Sequence, residues 1–179
     1  MNINKLDILL KQPQKLFHTR DLAVLWGVKN QRTLYTTIQR FKKKGVLISI
    51  QKGFYSVVPL DQVDPILLGA RLAHSYVYLT TESVLSPLGI ISQPAQKITF
   101  AAGFSKKIKI EEHRFLFRKI QNQYLHSTVG VISREDGVFM ASPERAAADL
   151  LYFQPRYHFD GENLLSKEKI KEIRKKVGY

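Results

Sequence analysis

The residue pattern predicts an α+β chain built from two unequal modules. Three observations predict it. The first 58 residues carry helical apolar spacing followed by two short strands. Most of the positive charge is concentrated in that same stretch. From Ile98 to Phe117 apolar and polar residues alternate as in half-buried strands.

The chain has 179 residues, with 28 Lys or Arg against 15 Asp or Glu, a formal net charge of +13. Such an excess favours a polyanionic partner, nucleic acid before an anionic membrane surface. Residues 1–58 hold eleven bases and two acids, net +9, and the remaining 17 bases and 13 acids leave only +4. There is no cysteine, which excludes disulfides, thiolate zinc sites and cysteine nucleophiles. The opening residues lack the apolar core of a signal peptide. No run of ~18 apolar residues predicts a transmembrane helix. A soluble, cytoplasmic protein with no membrane partner is expected.

In the N-terminal module Leu6, Leu9 and Leu10 mark a first helix, with Asn4 as its cap and Pro13 beyond its end. "HTRDLAVLWGV" predicts a second, with Thr19 as N-cap and Gly27 turning the chain after Trp26. A third opens near Asn30. Leu34, Ile38 and Phe41 form its apolar stripe, and Gly45 stops it. At ~100° per residue, Arg32, Thr36, Gln39 and Lys43 fall on the opposite side, flanked by Arg40 and Tyr35. "VLISIQKGFYSVV" then predicts two strands joined at Lys52-Gly53. Helix, helix, turn, helix and hairpin is the order of a winged helix-turn-helix. In that arrangement Arg32, Thr36, Gln39 and Arg40 reach a major groove, Lys43 sits near phosphates, and Lys52 occupies the wing tip. Thr19 and Arg20, at the start of the second helix, complete the candidate DNA-contacting set. A solvated helix face has the same composition, and winged helices also serve as protein-docking modules.

"PLDQVDP" (59–65) predicts a linker to a C-terminal domain over 66–179. Asp64 and Pro65 open a helix, and Tyr76–Tyr78 form a short strand. Thr80 or Thr81 caps a helix that ends near Pro87. Alternation over 98–117 and the turn signal at Glu135-Asp136-Gly137 add strands. "SPERAAADLLYF" is a helix capped by Ser142, with Ala147, Leu150 and Leu151 on its buried face. The basic tail helix, with only Ile170, Ile173 and Val177 apolar, must dock to be stable. The fold class is therefore an N-terminal winged helix-turn-helix followed by a C-terminal α+β domain, its helices covering one mostly antiparallel sheet. Lys106, Lys107, Lys109, Arg114 and Arg118 form a candidate second basic surface. Alternation puts Arg114 and Arg118 opposite Phe115 and Phe117.

No catalytic or metal-ligand spacing stands out among the five histidines or the acidic pairs Glu111-Glu112 and Glu135-Asp136, so neither an enzyme nor a cofactor is predicted.

The segments "HTRDLA", "LYTTIQRFKKKGVLISIQKGFYSV", "YVYLTTESVLSPLGII" and "ASPERAAADLLYF" together resemble the AbiEi-type antitoxins of type IV toxin-antitoxin systems, which act in abortive infection. The resemblance covers roughly residues 3 to 153. It implies an autorepressor that binds inverted repeats in its own promoter. It also implies a functional partner, a nucleotidyltransferase-like toxin that is counteracted without a necessary stable complex. The positions it implies for DNA reading are Arg32, Thr36, Gln39 and Arg40, with Lys52 at the wing. The rival expectation is a basic module that docks an acidic protein or RNA.

Overall fold

The computed structural model describes residues 4–179, so the first three residues of the predicted N-terminal domain lie outside the described residues. The chain is mixed α+β and divides into two compact units, 1–64 and 65–179. Where the sequence suggests a linker over 59–65, Leu60–Gln62 form one 3₁₀ turn inside the first unit, and Pro65 already opens a helix of the second. Among the described residues no helix is long and apolar enough to cross a membrane.

The first unit runs α1 (Lys5–Leu10), β1 (Leu16–His18), α2 (Thr19–Leu25), α3 (Gln31–Lys43), β2 (Ile48–Gln51) and β3 (Phe54–Ser56). Asn4 caps α1, its Oδ1 accepting from the Leu6 amide at 3.1 Å. Asn30 caps α3 by accepting from the Thr33 amide at 3.0 Å. The cap of α2 is His18, one residue earlier than the sequence suggests. Its amide donates to Asp21 Oδ2 at 2.7 Å, and Thr19 is already the first helical residue. A three-stranded antiparallel sheet in the order β1-β3-β2 closes the unit. Strand β1 was not expected, and it makes β3 the centre of the sheet. Leu9, Phe17, Leu22, Trp26, Leu34, Ile38 and Phe41 fill the core between helices and sheet. Trp26 packs edge-on against Phe41 and donates from Nε1 to the Lys5 carbonyl at 3.1 Å. Its place is structural.

The second unit contains α4 (Pro65–Leu72), β4 (Tyr78–Leu79), α5 (Glu82–Leu85), β5 (Ile98–Ala102), β6 (Lys106–Ile110), β7 (His113–Lys119), α6 (Asn122–Leu125), β8 (Val131–Ser133), β9 (Phe139–Ala141), α7 (Pro143–Phe153) and α8 (Lys167–Val177). Its single sheet has the order β6-β7-β5-β4-β9-β8. Three of the five pairings are antiparallel, but β5–β7 and β4–β9 are parallel, so the sheet is mixed. Helices lie on both faces of the sheet. Gly69 of α4 approaches the rings of Phe100 and Phe115 on one face. Arg145 of α7 reaches Tyr78 on the other. The basic helix α8 docks along α7 with Ile170 and Val177 buried.

Helix α7 holds the polar centre of this unit. Ser142 Oγ caps it by accepting from the Arg145 amide at 3.2 Å. The Arg145 side chain is fully buried and uses four of its five N–H groups. Nε donates to Asp149 Oδ1 at 2.9 Å and Nη1 to the Val129 carbonyl at 2.8 Å. Nη2 donates to Tyr78 Oη at 2.8 Å and to the Tyr124 carbonyl at 2.9 Å. Asp149, also fully buried, accepts in addition from Thr80 Oγ1 at 2.7 Å and from the Tyr179 hydroxyl. Burial by itself would lower the Arg145 pKa, but Asp149 beside it and the two phenols carry it upward. Burial, reinforced by the Asp149 charge, pushes both Tyr78 and Tyr179 above the ordinary phenol range, so both stay neutral.

Two stability outcomes follow from this packing. Gly69→Ala would put a methyl 2.6 Å from two buried rings, and overpacking of that kind costs about 1–3 kcal/mol. Asp149→Ala strands a buried guanidinium and is expected to cost about 3–5 kcal/mol, whereas Arg145→Met with Asp149→Leu removes both charges and costs less. Urea unfolding of the full chain checks both. A double variant less stable than Asp149→Ala contradicts the account of α7.

Candidate nucleic-acid interface

Burial of Leu34, Ile38 and Phe41 turns the opposite side of α3 to solvent. There Arg32, Tyr35, Thr36, Gln39, Arg40 and Lys43 line one open depression that contains no acidic side chain. Arg32, Thr36, Gln39 and Lys43 are the set predicted from helical rotation, and Arg40 joins them. Tyr35 is the residue that sequence reasoning set aside. It is 50% exposed, and its spacing of three from Arg32 and four from Gln39 already placed it on this face.

The chemistry of Thr36 is narrower than its sequence suggests. Its hydroxyl donates to the Arg32 carbonyl at 2.8 Å, so the proton is committed to the helix. The outward face offers a methyl group and acceptor lone pairs. Arg40, Lys42 and Lys43 occupy the last turn, where the helix dipole favours cations and Gly45, at φ +71°, ends the helix.

The β2–β3 hairpin follows α3 in the chain. Its two-residue turn, Lys52-Gly53, is as predicted, with Gly53 at φ +80° and Lys52 exposed. Thr19 ties the hairpin tip to the start of α2, because its amide and its hydroxyl both donate to the Gly53 carbonyl, at 2.9 and 3.3 Å. With that proton engaged, Thr19 positions the hairpin that carries Lys52. Arg20, next to it, is exposed.

Lys107, Lys109, Arg114 and Arg118 share one face of the β6–β7 pair, whereas Lys106 pairs with Phe117 on the other. Lys109 and Arg114 are register partners across β6 and β7, and both are exposed. Arg118 departs from the expectation of a free basic face. Its guanidinium stacks over the Phe153 ring at 3.9 Å and lies 3.7 Å from Glu82, with the side chain 19% exposed. Burial lowers its pKa, and Glu82 opposes that only in part. Lys106 and Lys107 line a groove with it. Among the described residues no three His, Asp or Glu side chains converge as metal ligands. No protein-family model matches the chain, and no curated protein matches it in sequence.

The hairpin account is checked by Gly53→Ala. A Cβ at this positive φ costs roughly 1–2 kcal/mol, and it would also crowd Thr19 Oγ1 at 3.3 Å. The chain's only tryptophan, Trp26, lies in this unit, so its fluorescence on denaturation reports the loss directly. An unchanged midpoint contradicts the strained turn.

Proposed function

We propose that the N-terminal unit is a winged helix-turn-helix and that the chain is a sequence-reading DNA-binding repressor. One observation carries the reading. The exposed face of α3 gathers Arg32, Tyr35, Thr36, Gln39, Arg40 and Lys43 with no carboxylate among them, on a helix of 13 residues. A major groove admits a helix of this width. Within it Arg32 is suited to bidentate bonding with guanine and Gln39 with adenine. Thr36 presents its methyl to thymine or its lone pair to an amino group. Arg40 and Lys43 neutralise backbone phosphates, and Lys52 reaches the neighbouring groove or backbone from the hairpin. Arg20 adds a phosphate contact at the start of α2.

The resemblance to AbiEi-type antitoxins extends the proposal. The DNA is the promoter of the protein's own operon, bound at inverted repeats. The C-terminal unit serves to counteract a nucleotidyltransferase-like toxin, and the protein acts in the cytoplasm as a binding protein, not as an enzyme. The concentration of +9 of the +13 net charge in residues 1–58 supports the DNA role. Lys109 and Arg114, both exposed, are the candidates for phosphate contact in the second unit.

Fluorescence anisotropy with the duplex upstream of the gene and with a shuffled duplex, at low and near-physiological salt, tests the reading. A preference that persists at higher salt is expected. Arg32→Ala and Gln39→Ala should each reduce that preference by about 1–3 kcal/mol. Lys43→Ala should weaken both duplexes alike and lower the salt slope by about one. Equal, salt-sensitive binding to both duplexes by the unmodified protein contradicts the proposal and favours a docking module.

A further inference from the structure

We propose that the C-terminal unit carries a binding site for a nucleoside polyphosphate, in a two-part groove along β7 beside the end of α7. The first part, about 660 Å³, is lined by Lys97, Lys106, Lys107, Arg118 and Lys119, and Glu82 is its one acid. Its volume falls within the range of ~300–1,000 Å³ common to small-molecule sites. The cations come from three segments of chain, brought together by the parallel pairing of β7 with β5 and the β6–β7 hairpin. They surround a depression instead of following a line, and five positive charges against one carboxylate suit a compact ligand carrying several negative charges.

Arg118 is the built feature of this half. Its guanidinium carbon lies 3.9 Å over the centre of the Phe153 ring, and the Glu82 carboxylate is 3.7 Å away. A planar guanidinium presents paired N–H groups at its edge, the geometry that engages two phosphate oxygens at once. Because burial is incompletely offset by Glu82, a phosphate would relieve an electrostatic deficit already present.

The adjoining half, about 260 Å³, shares Glu82, Lys97, Leu116 and Gln154 with the first. Its other lining is uncharged and includes Gln93, Gln96 and Tyr157. Amide side chains both donate and accept, as the edge of a base requires, and the Tyr157 ring offers a stacking face. A polycationic half joined to an amide and aromatic half complements the order of groups in a nucleoside polyphosphate. Lys109 and Arg114 lie outside both linings.

Isothermal titration of the full-length chain with ATP and GTP tests the proposal, with tripolyphosphate and adenosine as half-ligand probes. Saturable binding of at least one nucleotide is expected, with weaker binding of tripolyphosphate and none of adenosine. Arg118→Lys keeps the charge but loses the paired N–H edge and should weaken binding about tenfold. Lys107→Ala with Lys119→Ala, both exposed, should do the same without touching the Phe153 stack. Lys109→Ala with Arg114→Ala should leave binding unchanged. Arg32→Ala should also leave it unchanged while reducing duplex preference, so this proposal and the repressor reading fail separately. No saturation at millimolar nucleotide overturns the proposal, as does equal loss in the Lys109/Arg114 variant. Displacement of bound nucleotide by random duplex overturns it too, by making the groove part of a DNA surface.

Discussion

The burial of Leu34, Ile38 and Phe41 sets the rotation of α3 about its own axis, and the rest of the N-terminal surface follows from it. These three side chains meet Trp26, Leu22 and Phe17 in one core. A helix with that stripe inward has no freedom over what it turns outward: Arg32, Thr36, Gln39 and Lys43 follow from ~100° per residue. The hairpin is fixed by a second constraint, the paired donation of Thr19 to the Gly53 carbonyl. Apolar packing thus orients the helix, and hydrogen bonding to Thr19 of α2 orients the hairpin tip. The proposed DNA-reading role rests on those two devices.

The C-terminal unit is organised around buried charge. Arg145 and Asp149 form a neutral pair on one helix, and Tyr78, Thr80, Tyr124 and Tyr179 contribute the remaining donors and acceptors from other segments. A fully connected polar network of this kind is specific in a way an apolar core is not, because every member must be in place for the charges to be tolerated. It fixes α7 against the sheet and the end of α8 against α7. The same placement of α7 puts Phe153 under Arg118, so the groove along β7 inherits its shape from the buried pair.

Much of the first unit was legible in the sequence because its signals are local. The 13 residues of α3 span more than three turns, enough for a periodic stripe to be unambiguous, and Gly45 and Gly53 mark their turns through backbone sterics alone. Strand β1 was missed because three residues between Pro13 and a helix carry too little alternation, and its partner β3 lies nearly 40 positions away. The cap of α2 was misplaced by one residue because histidine is an uncommon N-cap and Thr19 a common one. In the second unit the strands were visible but their pairing was not, since parallel neighbours are a property of the whole sheet. Arg145 and Asp149 went unremarked in the sequence, where their i,i+4 spacing equally suits a solvated pair. Tyr78, Thr80, Tyr179 and the carbonyls of Tyr124 and Val129, all distant in sequence, make the interior hospitable to them. Arg118 looked like surface because its partners, Phe153 and Glu82, are each about 35 residues distant.

The central claim is that the outer face of α3, together with the hairpin tip, is what touches DNA. Amide NMR of the ¹⁵N-labelled full chain, titrated with the duplex upstream of its gene, tests it most directly. The account predicts the largest shifts along Gln31–Lys44 and at Lys52-Gly53, with the Arg145–Asp149 network undisturbed. Largest shifts elsewhere, with α3 unmoved, would contradict it.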